Sequence, residues 1–193
     1  MVNLDNIYTY TLSEKEKEYC LGHAKKMCEG FKTYSFKNDK NQSEDVYYIG
    51  KIGELVFYKF LRTYKKDDTI TITHNPFREK YDKMNFKDDF MVKVNNKTYQ
   101  FEVRTKGRNV DPQLNYECCT DSIKPHLIYV FLSYNKKNDK VSLLGYATWN
   151  NFKNHAKVAL KNDSNNNFTH KVNEFNIEVS KLNNIHTLMD ELK

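Results

Sequence analysis

Apolar positions follow two rhythms along this chain. From Ile49 to Tyr64 they recur at helical spacing, with Ile52, Leu55, Val56, Phe60 and Leu61 forming one stripe, which predicts an amphipathic helix. Gly50 and Gly53 interrupt its first turns. Each glycine costs a helix interior up to about 1 kcal/mol against alanine, so close packing against a sheet is the expected reason for them. An earlier helix is expected from Thr11 to Phe31, with Ser13 as N-cap and Glu16 completing a capping box three residues on. Leu21, Ala24 and Met27 share a face of it, and the polar stretch 32–46 reads as a loop.

After residue 69 the period drops to two. Thr-Ile-Thr-Ile-Thr at 69–73 reads as a strand and 75–87 as a loop. Phe90 to Val94 and Thr98 to Thr105 then read as a hairpin turning at Asn95-Asn96. Asparagine tolerates the positive φ of a type I′ turn. A polar connection covers 107–124, and the nearly continuous apolar run HLIYVFLSY from His126 predicts a buried central strand. After a turn at 135–139 come the strand KVSLLGYAT, a helix TWNNFKNHAKVAL capped by Thr148, and an Asn-rich loop. The strand NEFNIEVS and a terminal helix LNNIHTLMDELK close the series. This order predicts a mixed α/β or α+β fold built on one central sheet.

Length agrees with a single domain over residues 1–193. No apolar run approaches the roughly 20 residues of a membrane-spanning helix, so no membrane partner is expected. The opening residues lack the basic and apolar regions of a secretory signal, which points to a cytoplasmic protein. The net charge of +6 and pI near 8.9 suit a polyanionic partner without establishing one. Cys20, Cys28, Cys118 and Cys119 lack zinc spacing and read as reduced thiols. The six histidines form no ladder, and neither a phosphate-binding glycine loop nor a serine nucleophile elbow is present.

The chemistry lies in FEVRTKG, residues 101–107. Phe101, Val103 and Thr105 fall on one face of the strand, and Glu102, Arg104 and Lys106 on the other. Asp89 and Glu102 each stand about six residues from the hairpin turn, which makes them near cross-strand neighbours with Cβ atoms about 5 Å apart. Carboxylates that close repel unless a cation lies between them, and hard oxygen donors suit Mg²⁺ or Mn²⁺. On the hairpin alone, a solvated face with weak charge pairs is the simpler reading.

Asp89, then Glu102 with Arg104 two positions on, and Glu54 in the upstream helical segment Gly50-Lys-Ile-Gly-Glu-Leu-Val-Phe resemble the restriction-endonuclease-like PD-(D/E)XK nuclease superfamily. PHLIYVFLSY and KVSLLGYATWNNF resemble its later strands and helix, so the resemblance spans a core of about 45–155. It implies a central mixed sheet flanked by helices and a divalent-metal-dependent endonuclease. Asp89, Glu102, the carbonyl of Val103 and Glu54 would hold Mg²⁺ or Mn²⁺. DNA is the favoured substrate, in restriction or defence, with RNA as another; a homodimer would suit cutting both strands. A catalytically inactive nucleic-acid-binding or assembly module that keeps the fold is the alternative.

Arg104 stands where the superfamily carries lysine. Arginine stays protonated and cannot act as a base, though it can stabilise charge on a phosphate. Lys106 shares its face, but its Cα lies roughly 13 Å from that of Glu102, against about 7 Å for Arg104. Asp89 is favoured over Asp88 because it directly precedes the apolar strand residues, and Gln100 shares the face of Glu102. Phe77, Arg78, Lys80, Tyr81 and Lys83, with Lys106 and Arg108, form a basic set with interleaved aromatics suited to a phosphate backbone.

Overall fold

The computed structural model describes residues 7–30, 40–64, 70–74, 77, 89–108, 115–119, 126–160, 164–165, 168–169 and 174–192. The expected capping box is formed. Ser13 N–H donates to Glu16 Oε2 at 2.8 Å, and Glu16 N–H donates back to Ser13 Oγ at 3.4 Å. It opens α1 (Glu14–Gly30) three residues later than expected, because Tyr8–Thr11 is strand β1. The second helix, α2 (Lys40–Tyr64), starts well ahead of Ile49. Its early turns carry no apolar stripe, and their hold on the body includes an ion pair from Lys136 to Asp45 at 2.7 Å.

Strands β2 (Ile70–His74), β3 (Phe90–Val94) and β4 (Lys97–Lys106) follow, then β5 (Asn115–Cys119), β6 (Leu127–Asn135) and β7 (Lys140–Ala147). The hairpin is in the expected register, Phe90 opposite Phe101 and Val94 opposite Lys97. Of its two turn residues only Asn95 has positive φ, 54°, so the turn is not the expected type I′, which needs both. Helix α3 (Trp149–His155) is helped to start by Asn151, whose Oδ1 accepts from Thr148 N–H at 2.9 Å. It stops short of Leu160 because β8 (Lys157–Ala159) pairs instead with β11 (Glu174–Glu178). The short strands β9 (Ser164–Asn165) and β10 (Phe168–Thr169) pair with each other. The expected strand NEFNIEVS ends early in a 3-10 turn at Val179–Lys181, and the expected terminal helix from Leu182 is reduced to a 3-10 turn at Ile185–Thr187 and the short α4 (Leu188–Glu191).

Six strands make the main sheet in the order β1-β7-β6-β4-β3-β2. Only β4 and β6 run parallel; the other pairs are antiparallel. The protein is therefore a mixed α+β fold with a mostly antiparallel central sheet flanked by helices. The expected buried strand is β6, in the interior of the sheet. Its side chains alternate between two cores, Ile128, Val130 and Leu132 on the α2 side and Leu127, Tyr129 and Phe131 on the other. Helix α2 covers the first face and α1 packs on α2. On the second face α3 and β11 bring Phe152 and Ile177 against Tyr129 and Phe131. A small sheet, β5-β11-β8, lies within the connection from β4 to β6 and beyond it.

Two contacts fix α2. A Cβ on Gly53 would overlap Thr105 Oγ1 and stand 2.9 Å from Thr105 Cβ, so the helix backbone rests on β4 itself. Phe57, one turn later, meets Phe101 at 5.4 Å between ring centroids. Glu16 ties the remaining pieces together. It pairs with Lys59 of α2 at 2.5 Å and accepts from the Tyr10 hydroxyl of β1 at 2.7 Å. Burial pushes its carboxyl up, but the hydrogen bonds from Lys59, Ser13 and Tyr10 outweigh that and hold it at about 2.

Substituting the two helix glycines should give opposite signs. Nothing lies within 4 Å of a Cβ on Gly50, so Gly50→Ala should stabilise the protein by up to about 1 kcal/mol. Gly53→Ala should destabilise it by about 1–3 kcal/mol through overpacking on Thr105. Urea unfolding of both variants measures this, and equal effects would refute the close approach.

Acid stability should depend on Glu16. Its folded pKa is depressed, so its contribution is complete above an ordinary glutamate pKa of about 4.3. That contribution is lost as pH falls through about 2. Glu16→Gln keeps a capping residue and should lose less stability than the parent between these values. Melting temperatures across the window test it.

Candidate functional site

Asp89 is the residue just before β3, where the strand ladder runs out. Its N–H donates to the Phe101 carbonyl at 3.2 Å, and its Oδ2 accepts from the Val103 N–H at 2.7 Å. The carboxylate thus replaces the next backbone acceptor of the ladder and sits near the plane of the sheet. N–H and C=O of a strand residue point to the same side, so the Val103 carbonyl also faces the Asp89 side. The regular pairing ends at Phe90 with Phe101; Asp89, whose N–H also turns to the Phe101 carbonyl, stands just beyond it with its carboxylate on Val103, the residue after Glu102.

Glu102 and Arg104 project from the second face, where Tyr129 and Phe131 are their neighbours in register on β6. The Glu102 carboxylate is ion-paired with the Arg104 guanidinium, with 22% of the acid and 36% of the arginine side chain exposed. In this structure the cation beside Glu102 is Arg104. The guanidinium's Nε is buried and has no hydrogen-bond partner among the described residues. Lys106, half-buried, lies one more repeat along the same face, level with Ser133.

Glu54 occupies a different setting. It follows Gly53, so it lies along the stretch of β4 between Thr105 and Phe101, but on the α2 side of the sheet. It is 8% exposed and ion-paired with Lys51, itself 3% exposed. This pair sits against α1. Burial and the Glu54 charge push the Cys20 thiol up to about 12, partly offset by Lys51. Burial, Lys26 and Lys51 together lower the His23 pKa. Phe77, expected to serve a nucleic-acid-binding loop, packs instead against Tyr19 and His23 at centroid distances of 5.0 and 5.1 Å. Lys51 Nζ lies 5.5 Å over its ring. Arg78, Lys80, Tyr81, Lys83 and Asp88 lie outside the described residues.

The structure therefore sets the Asp89 carboxylate on the Val103 N–H and Arg104 against Glu102, the residue before Val103. It places Glu54 across the sheet from the Glu102 side chain. Among the described residues no three His, Cys, Asp or Glu groups are arranged to hold a metal ion. Mg²⁺ needs less than that, since it keeps several waters and is held through one or two carboxylates. Asp89 and Glu102 fit such an ion in number and donor type. Sequence reasoning did not single out Lys51, whose signal was a lysine inside an otherwise apolar helical stripe. No family model, no curated protein and no solved structure matches this chain, and none of the described helices is long and apolar enough to cross a membrane.

The Lys51–Glu54 pair should behave as a buried unit. Lys51→Met alone should cost about 3–5 kcal/mol by leaving Glu54 buried without its cation, whereas Lys51→Met with Glu54→Leu should recover most of the loss. Chemical denaturation of the single and double variants measures the coupling. Simple additivity would show that the pair is not desolvated.

Proposed function

We propose that this protein is a divalent-metal-dependent endonuclease of the restriction-endonuclease-like type, acting on the phosphodiester bonds of DNA. The observation that carries the reading is the Asp89 carboxylate fixed on the N–H of Val103, the residue next to Glu102 on β4. The hairpin end supplies two hard-oxygen side chains and a strand carbonyl on adjoining residues, while Glu54, paired with Lys51 on the α2 side, lends the site no support. The order helix, antiparallel hairpin, then a strand parallel to the second hairpin strand also supports it, as a central mixed sheet flanked by helices is what the resemblance implies.

In this reading Asp89 and Glu102 hold Mg²⁺ or Mn²⁺. When bound, the ion supplies Lewis acidity and a water of lowered pKa. Val103 N–H keeps the Asp89 carboxylate turned toward its neighbour. Arg104 cannot take a proton; it offsets negative charge developing on the phosphate oxygens. Lys106 is the nearest amine along the same face and positions the attacking water by leaning back along the strand. The Glu102–Arg104 pair does not block this role. A partly exposed pair of that kind contributes about 0–1 kcal/mol, so a phosphate or a divalent ion can draw its members apart.

The same ion pair favours a second reading, a nucleic-acid-binding module in which Arg104 has replaced the cation and cleavage is lost. One assay separates the two. Purified protein is incubated with plasmid, linear and single-stranded DNA and with RNA, each with Mg²⁺ or Mn²⁺. The endonuclease reading expects metal-dependent cleavage that Asp89→Ala and Glu102→Ala reduce by at least about a hundredfold. Cleavage of RNA alone would make it a ribonuclease. Absence of cleavage on every substrate leaves the binding module, and undiminished cleavage by the variants moves the site elsewhere.

A further inference from the structure

The second face of the sheet changes character along its strands. Where α3 and β11 cover it, β6 presents Leu127, Tyr129 and Phe131, and β7 presents Leu144 and Ala147. One repeat further, the same face of β6 presents Ser133 and then Asn135, while the α2 face stays apolar with Leu132, Tyr134, Val141 and Leu143. The ladder aligns this change across four strands. Lys106 of β4 is level with Ser133, Ser133 with Ser142 of β7, and Ser142 with Thr9 of β1. In the next row Asn135, Lys140 and Thr11 are level. Arg108 adjoins Ser133, whose hydroxyl donates to the Arg108 carbonyl.

We propose that this polar end of the second face, from Arg104 and Lys106 across to Lys140, is the platform on which the sugar-phosphate backbone of a nucleic acid lies. Three observations carry it. First, the charge is one-sided: Arg104, Lys106, Arg108 and Lys140 surround the rows, and on this face of β1, β3, β4, β6 and β7 Glu102 is the sole acid. Second, the outer row is the open one: Lys140 and Thr11 are exposed and Asn135 and Arg108 half-buried, types that contact phosphate, with Thr9 and Lys106 at the ends of the inner row, whose central Ser133 and Ser142 are buried. Third, the scale suits one backbone. Four strands at about 4.8 Å span roughly 14 Å, and Arg104 and Lys106 follow each other about 6.6 Å apart along β4. The platform leads along β4 directly to Glu102, on the face that α2 does not cover. It rests on the proposed function only for what happens at Glu102; binding here needs no metal.

The test is fluorescence anisotropy with labelled single- and double-stranded DNA in EDTA, over a salt series. EDTA separates it from cleavage. Lys140→Ala, Arg108→Ala and Lys106→Ala should each weaken binding several-fold whatever the base sequence, and each should reduce the slope of log K against log salt by about 1. Lys25→Ala, on the exposed surface of α1, should leave both unchanged. Parent-like affinity and slope in the three variants would overturn the platform even if the parent cleaves DNA. So would DNA binding that shows no salt dependence, or binding to poly-glutamate or anionic vesicles as tight as to DNA. Conversely, loss of binding in the variants of a protein that never cleaves would uphold the platform and remove the nuclease.

Discussion

Helix α2 lies where it does because Gly53 has no side chain. With its backbone against Thr105, the helix can drop onto β4 and seat Phe57 between Phe90 and Phe101, at 5.3 and 5.4 Å. The cost is visible at Thr105, whose Oγ1 is buried without a hydrogen-bond partner among the described residues, a loss of the order of 1–3 kcal/mol. The contact decides more than packing. By claiming Phe101, Val103 and Thr105 for the core, it sends Glu102, Arg104 and Lys106 to the opposite face. It also sets Glu54 and Lys51 at one level of β4, facing α1 rather than the charged side of the strand. Every statement about which acid can meet which cation follows from that one choice of face.

Electrostatics then sort the acids. Asp89 is held by a backbone N–H at the end of a strand. Glu54 is paired with a lysine inside the α1–α2 interface, so it has a cationic partner before any ligand arrives. Glu102 has a guanidinium neighbour two residues away. The repulsion expected between Asp89 and Glu102 is therefore relieved by Arg104 within the strand itself. A divalent ion competes with a side chain whose contribution is small because it is partly solvated, whereas at Glu54 it would have to displace a buried partner. On the proposed reading, that asymmetry favours Glu102 and Asp89 over Glu54 as the place for a divalent ion.

Much of this was legible in the sequence because it is local. Period-two alternation gave the hairpin and its register, Ser13 with Glu16 gave the start of α1, and Gly53 of α2 announced a close approach to the sheet that Gly50 does not make. What escaped was long-range or governed by competition. Tyr8–Thr11 has the alternation of a strand, but only pairing with β7 distinguishes it from a helix lead-in. Val158 carries a strand propensity that wins because β11 is there to pair with it. The polar first turns of α2 have no stripe to read. For the site, counting to the turn set Asp89 against Glu102, but the regular pairing stops at Phe90 with Phe101 and Asp89 turns its carboxylate to Val103, and the side of the sheet taken by Glu54 depended on how α2 crosses β4.

The departure at Arg104 looks different once the faces are known. A lysine at that position would place a single ammonium beside Glu102, able to lose a proton when buried. The arginine instead presents a planar fork, one edge on Glu102 and a buried Nε with no partner among the described residues. Such a group is suited to gripping an oxyanion while remaining attached to the acid, and it stands at the head of a line that continues through Lys106 to Arg108. On the proposed reading, Arg104 is less a lost base than the first contact of an anion-binding row. If cleavage occurs, the proton must be handled by water or by Lys106. If it does not, the row still has the charge and spacing to hold a backbone.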